Sequence, residues 1–147
     1  MSERNISVPD RRTVESWIER YGIAWRTKDA DGVAELFTED AVYAAHPTEE
    51  PHRGRAGIRA YWRQVTATQS DLDLRFGRPV VDGNRATVEW WAIMNAAEWG
   101  PPRDDAAVTL PGCLILRFTD EGLCVELREY WNADFGRHVP APHGWGQ

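Results

Sequence analysis

Three groups in this sequence are of a type and spacing that could move a proton. The stretch HPTEEPHRG, His46 to Gly54, packs two histidines and two glutamates into its first seven residues. An unperturbed histidine titrates near ~6.5, so His46 can shuttle protons at neutral pH. A metal site would need three or more convergent ligands. His46 and His52 stand six residues apart around Pro47 and Pro51, which matches no ligand spacing. The stretch reads as a polar connection at a pocket mouth, without metal. The other two groups are Glu129, a carboxylate within an otherwise apolar alternation, and Tyr21, a phenol on an apolar helical stripe. The sequence has no Gly-rich phosphate loop, no GxSxG and no CxxC, so no cofactor is called for.

The elements that must position these groups follow from periodicity. Val14, Trp17, Ile18, Tyr21 and Trp25 fall on one face of a helix, with Asp10 as N-cap. A short helical stretch, DADGVAELF, stops near Thr38, and Ala41–Ala45 reads as a strand. Ile58, Tyr61, Trp62 and Val65 form the stripe of a third helix. Beyond Gln69 the period changes to two: Leu72, Leu74 and Phe76 alternate with polar residues. Asp82–Asn84 is a hairpin turn, EWGPPRDD a long hairpin tip, and Asp120–Gly122 the turn of a last hairpin. Helices followed by hairpin-linked strands predict an α+β fold, a cone-shaped curved antiparallel sheet with three N-terminal helices over one face. Residues 1–12 read as an N-terminal extension, 13–134 as the domain, and 135–147 as a loosely ordered tail that could pack on a partner.

Setting Thr119 opposite Gly122 pairs Leu114 with Leu127, Gly112 with Glu129 and Leu110 with Trp131. These six share parity with Val88, Trp90 and Met94, so one sheet face is apolar and lines a pocket. Trp17, Tyr43 and Trp62 are expected to complete the ligand-binding wall. Glu129 is the one carboxylate there, with Gly112 leaving volume beside it. Desolvation would raise its pKa, which suits a general acid or base. Tyr21 could reach the same cavity as a donor. The alternative is a structural Glu129 that bonds a tyrosine, an indole N–H or an arginine. The same register keeps Cys113 and Cys124 about four residues, ~13 Å, out of step, too far for a bridge, and puts both on the polar parity.

Whole-chain properties narrow the class. A chain of 147 residues, 42% hydrophobic and 27% charged, suits one domain. The net charge of −6 offers no basic patch for nucleic acid or an anionic membrane. No ~20-residue apolar run could span a bilayer, the first residues lack the core of a secretory signal, and unpaired thiols fit the cytoplasm. Eight tryptophans imply an aromatic core or an aromatic-lined cavity.

LFTEDAVY (Leu36–Tyr43), EPHRGRAGIRAYW (Glu50–Trp62), VEWWA and the closing LRFTDEG…ELREYW resemble the nuclear transport factor 2-like superfamily, in particular its SnoaL-like and ketosteroid-isomerase-like branches. The resemblance spans about residues 13–133 and includes isomerases, cyclases, dehydratases, epoxide hydrolases and members without catalysis. The ketosteroid isomerase scheme places its tyrosine on Tyr21, its base on Ala45 and its second acid on Leu114. The last two cannot exchange a proton, so the two-aspartate mechanism does not carry over. His46, one residue on, could substitute for the base. The resemblance implies a cofactor-independent, polyketide cyclase-like isomerase or lyase. Glu129, Tyr21 and His46 would act on a small apolar ring-containing molecule. The alternative is a non-catalytic pocket or a dimerisation module. Trp91 and Ile93, apolar on the polar parity, point to a homodimer through the outer sheet face.

Overall fold

Asp10 sits in extended backbone and accepts from the Thr13 N–H at 2.8 Å, which starts α1, Arg11–Arg26, where the sequence signals it. A computed structural model describes residues 9–96, 107–140 and 143–147; the tip EWGPPRDD lies outside the described residues. The buried side of α1 carries Val14, Trp17, Ile18, Tyr21 and Trp25. α2 is only Ala30–Ala34, capped by Asp29 on the Gly32 N–H at 2.9 Å. It stops before Thr38 because the Leu36 carbonyl is already taken by the Cys124 N–H and the chain extends into β1, Phe37–Ala44. β2, His52–Arg53, pairs back on β1 inside the stretch expected to be a polar loop.

α3, Gly54–Thr66, buries Ile58 and Trp62. Then come β3, Gln69–Phe76; β4, Val80–Asp82; β5, Arg85–Ala96; β6, Ala107–Phe118; β7, Cys124–Trp131; and β8, Asp134–Phe135. The sheet runs β2-β1-β7-β6-β5-β3, with β4 on β5 and β8 on β6. All pairs are antiparallel except β1 with β7, which is parallel. Register breaks in β1, in β3 beside Asp71 (φ 54) and between β6 and β7 bend the strands around the helices.

The last hairpin differs from expectation by two residues. Leu114 pairs with Glu129, Gly112 with Trp131 and Leu116 with Leu127. Two slips add up to this. The Thr119 N–H closes on the Leu123 carbonyl at 2.8 Å, which widens the turn by one residue. A bulge at Val125 separates the pair Phe118–Cys124 from Arg117–Glu126. Because the total slip is two, Leu127, Glu129 and Trp131 keep their inward parity. Cys124 lies before the bulge and so turns inward, against the expectation for it; burial pushes its thiol up to about 12. Cys113 stays on the outer face, 3.0 Å from Thr87 Oγ1, and both thiols are free.

The tail, expected loose, packs on its own sheet. β8 pairs with β6. The Trp91 indole donates to the His138 carbonyl at 2.8 Å, and Trp145 meets Trp91 edge-on at 5.9 Å. The Gly146 N–H donates to Glu89 Oε1 at 3.1 Å, and its carbonyl accepts from Arg78 at 2.7 Å. Trp91 and Ile93 are consequently buried within one chain. Among the described residues no helix is long and apolar enough to cross a membrane.

Candidate functional site

Alternation along β7 turns Glu129 toward the helices, where it is 6% exposed. Its Oε1 accepts from the Tyr43 hydroxyl at 3.3 Å, and the Tyr43 and Tyr21 hydroxyl oxygens are 2.9 Å apart. A phenol carries one proton. Tyr43 spends its proton on Glu129, so Tyr21 must donate to Tyr43, and the relay points at the carboxyl. Burial pushes the Glu129 pKa up to about 8, against the smaller downward pull of the Tyr43 hydrogen bond. Burial, then the charge of Glu129, holds both phenols well above their ordinary value. At neutral pH the carboxyl is therefore mainly protonated and both tyrosines are un-ionised phenols.

Glu129 opens on a cavity of about 50 Å³. Its floor and walls are Trp25, Tyr43, Trp62, Gln69, Trp90 and Leu110, all buried; half-buried Tyr61, Val65 and Trp131 form the rim. The rings meet as walls of a box: 73° between Trp25 and Trp62, 67° between Trp25 and Trp90, 86° between Tyr43 and Trp62. The volume holds a few heavy atoms, well short of the roughly 300 Å³ at which drug-sized pockets begin.

The space above Gly112 is filled by the Trp90 indole and does not lie beside Glu129; the cross-strand neighbours of Gly112 are Trp90 and Trp131. A Cβ on Gly112 would overlap Trp90 at Cε2 and Cζ2. Gly112→Ala therefore displaces the indole and destabilises the fold by about 1–3 kcal/mol, to be read as a lower urea midpoint at unchanged m-value.

Of the residues expected at the site, Tyr43, Trp62, Trp90, Leu110, Trp131 and Glu129 converge on the cavity. Tyr21 stands one hydrogen bond behind Tyr43. Trp17 instead wedges the core, stacked on Tyr21 at 5.1 Å with its N–H on the Leu36 carbonyl at 2.9 Å. Val88, Met94, Leu114 and Leu127 belong to the core away from the cavity lining. His46 sits at the mouth, its ring 5.0 Å from Trp131 and Nε2 3.9 Å from Glu49. His52, expected to be a plain loop residue, stacks on Tyr61 at 4.3 Å; desolvation, then the charge of His46, lowers its pKa. Among the described residues no three His, Cys, Asp or Glu side chains converge as a metal site would require.

Trp25, Tyr61, Val65 and Gln69 were not anticipated as lining. The first three lie on the helical stripes already evident in the sequence. Gln69 accepts the Trp25 indole N–H at 2.9 Å, and no sequence signal marks that contact. Ala45, where the ketosteroid isomerase scheme puts its base, offers only its carbonyl, to the Trp131 indole at 2.9 Å. Leu114, where that scheme puts its second acid, pairs directly with Glu129. The carboxyl group thus stands one strand over from the position that scheme uses.

A family model described as SnoaL-like domain matches residues 14–127. No curated protein matches the chain. Among solved structures, SalBIII, described as an epoxide hydrolase/cyclase-like enzyme in pyran ring formation in the polyether salinomycin, superposes with a TM-score of 0.72 at 22% identity. That match covers 85% of this chain and 95% of SalBIII. A hypothetical protein of ketosteroid isomerase-like fold from Catenulispora acidiphila DSM 44928, in complex with trimethylamine, superposes with a TM-score of 0.67 at 18% identity, covering 78% of this chain and 83% of its own.

Proposed function

The chain belongs to the SnoaL-like domain family, and on that premise we propose that it is a cofactor-independent isomerase, cyclase or dehydratase working by proton transfer on a small apolar, ring-containing molecule. One observation carries the reading: a buried carboxyl, neutral at pH 7, faces an aromatic cavity and is backed by two phenols aimed at it. Glu129 gives its proton to a substrate oxygen; its O–H bond breaks as the substrate O–H forms. The carboxylate left behind is held by the Tyr43 hydrogen bond, which strengthens once its acceptor is charged. A substrate proton returned to the carboxylate closes the cycle. His46 stands at the mouth, its ring 5.0 Å from Trp131. The cyclase-like description of SalBIII supports this class of chemistry.

The test is a thermal-shift screen of small ring ketones and small cyclic epoxides, followed by turnover assays on each hit. A ligand at 100 times its Kd adds ~2.7 kcal/mol, which raises the midpoint by roughly 5–10 °C. Silence across the panel removes the ligand site.

A second reading, a non-catalytic binding module, is favoured by the cavity volume of about 50 Å³. Its occupant would be small, in the size range of the trimethylamine complexed by the ketosteroid isomerase-like neighbour. A ligand recovered unchanged after long incubation would decide for it. Under either reading the protein works in the cytoplasm. A second copy would pack on the outer sheet face that the tail leaves open, around exposed Tyr130 and the Arg117–Glu126 pair. Concentration-independent monomers in sedimentation would exclude that dimer.

A further inference from the structure

Six of the groups that border the cavity of Glu129 are aromatic: Trp25, Tyr43, Tyr61, Trp62, Trp90 and Trp131. Steep angles separate their planes, 73° between Trp25 and Trp62, 67° between Trp25 and Trp90, and 84° between Tyr61 and Trp62. Rings crossed in this way around one small volume cannot all lie edge-on to its contents. A group held there meets π-faces, which carry partial negative charge.

The one carboxyl of this lining has no positive partner. Among the described residues no lysine, arginine or histidine borders the cavity. The titratable groups around Glu129 are phenols: Tyr43 of β1, which donates to Oε1, Tyr21 of α1 behind it, and Tyr61 of α3 in the same lining. His46 and His52 stay at the mouth, against Trp131 and Tyr61. The Tyr43 hydrogen bond favours the ionised carboxyl, yet a buried charge is ordinarily paired. Aromatic faces and an unpaired carboxyl share one demand, a cation.

The lining also selects among cations. A metal ion needs several oxygen ligands, and a primary ammonium needs acceptors for three donors. Gln69 Oε1 is already taken by the Trp25 indole at 2.9 Å. A methylated ammonium asks for few acceptors or none, gives up its water readily, and is on the scale of a volume of about 50 Å³.

We propose that the cavity binds a small methylated ammonium ion, held among the aromatic walls and paired with the Glu129 carboxylate. This rests on the reading of the protein as a binding module and adds the charge and chemical class of its occupant. Binding expels the Glu129 proton to solvent. Cation affinity therefore rises with pH until the carboxyl is ionised without help, near pH 8.

The test uses tetramethylammonium, a permanent cation, and tert-butanol, its neutral near-isostere, each with a single methyl proton resonance. Both are titrated into the protein at pH 7 and pH 9 in matched salt. The expected result is an upfield ring-current shift of the cation's methyl signal, with affinity about tenfold above that of tert-butanol at pH 9. Cation affinity should rise about tenfold from pH 7 to pH 9, as the ionised fraction of Glu129 does, while that of tert-butanol should not. Glu129→Gln, which keeps both mouth histidines, should remove the rise and lose about tenfold in cation affinity at pH 9. The two wild-type comparisons carry the test even if the variant does not fold. Equal or tighter binding of tert-butanol overturns the proposal and leaves the cavity a site for neutral ligands. Cation binding without the upfield shift, or undiminished in Glu129→Gln, also overturns it and assigns the cation to the surface of a chain of net charge −6. Binding of neither probe overturns both the proposal and the binding-module reading.

Discussion

Glu129→Gln is expected to abolish a loss of stability that the wild-type protein undergoes as pH rises from about 5 to about 9. The folded-state pKa is raised from 4.5 to about 8 by burial. Between those values the folded protein keeps a proton that the unfolded chain has released. The contribution of this group is therefore fully present below pH 4.5 and is lost progressively as pH rises through 8. The span corresponds to about 5 kcal/mol, or roughly 10–20 °C in midpoint for a chain of this size. Glutamine has the same shape, still accepts from Tyr43 and never ionises, so the variant escapes the loss. Urea unfolding of both proteins at pH 5 and pH 9 measures it: the difference between them should change by several kcal/mol in favour of the variant. A difference that stays constant with pH would mean that Glu129 is solvated when the protein is folded.

The same substitution should lower turnover by 10²–10⁴-fold once a substrate is in hand, the usual contribution of a positioned acid or base. The wild-type rate should be flat near neutrality and fall about tenfold per unit above pH 8, because the donating form of Glu129 disappears there. Tyr43→Phe sharpens the test. The Tyr43 hydrogen bond lowers the Glu129 pKa, so its removal should move the alkaline limb to higher pH while the rate on the plateau falls. Profiles of kcat against pH for the three proteins report both effects. A limb that stays in place in Tyr43→Phe would assign the titration to another group.

Much of this arrangement is legible in the sequence because parity and helical stripes depend only on residue type. The stripe from Val14 to Trp25 and the alternation around Trp90 place their residues without knowledge of the rest. Pairing partners are a different kind of information. The turn after Phe118 is one residue wider than its DEG motif suggests, and the bulge at Val125 leaves no compositional mark. Each changes partners by a single position, and together they move Gly112 from Glu129 to Trp131. The carboxylate could be identified while its neighbour could not. Nor does the tail announce its role: Trp145 and Gly146 sit among glycines and prolines that look unstructured until Trp91 and Gly77 are found beneath them.

The parallel pairing of β1 with β7 has a consequence for the nascent chain. Tyr43 and Glu129 are 86 residues apart, as are Ala45 and Trp131. At roughly 5–20 residues per second, the ribosome finishes β1 on the order of ten seconds before it delivers β7. Throughout that interval the aromatic stripe of α1 can already pack on Trp62 and Phe76, while one edge of β1 has nothing to close on. Loops of this span form late in folding. The pair of Tyr43 and Glu129 is thus assembled late, and the open edge of β1 is what a chaperone would meet.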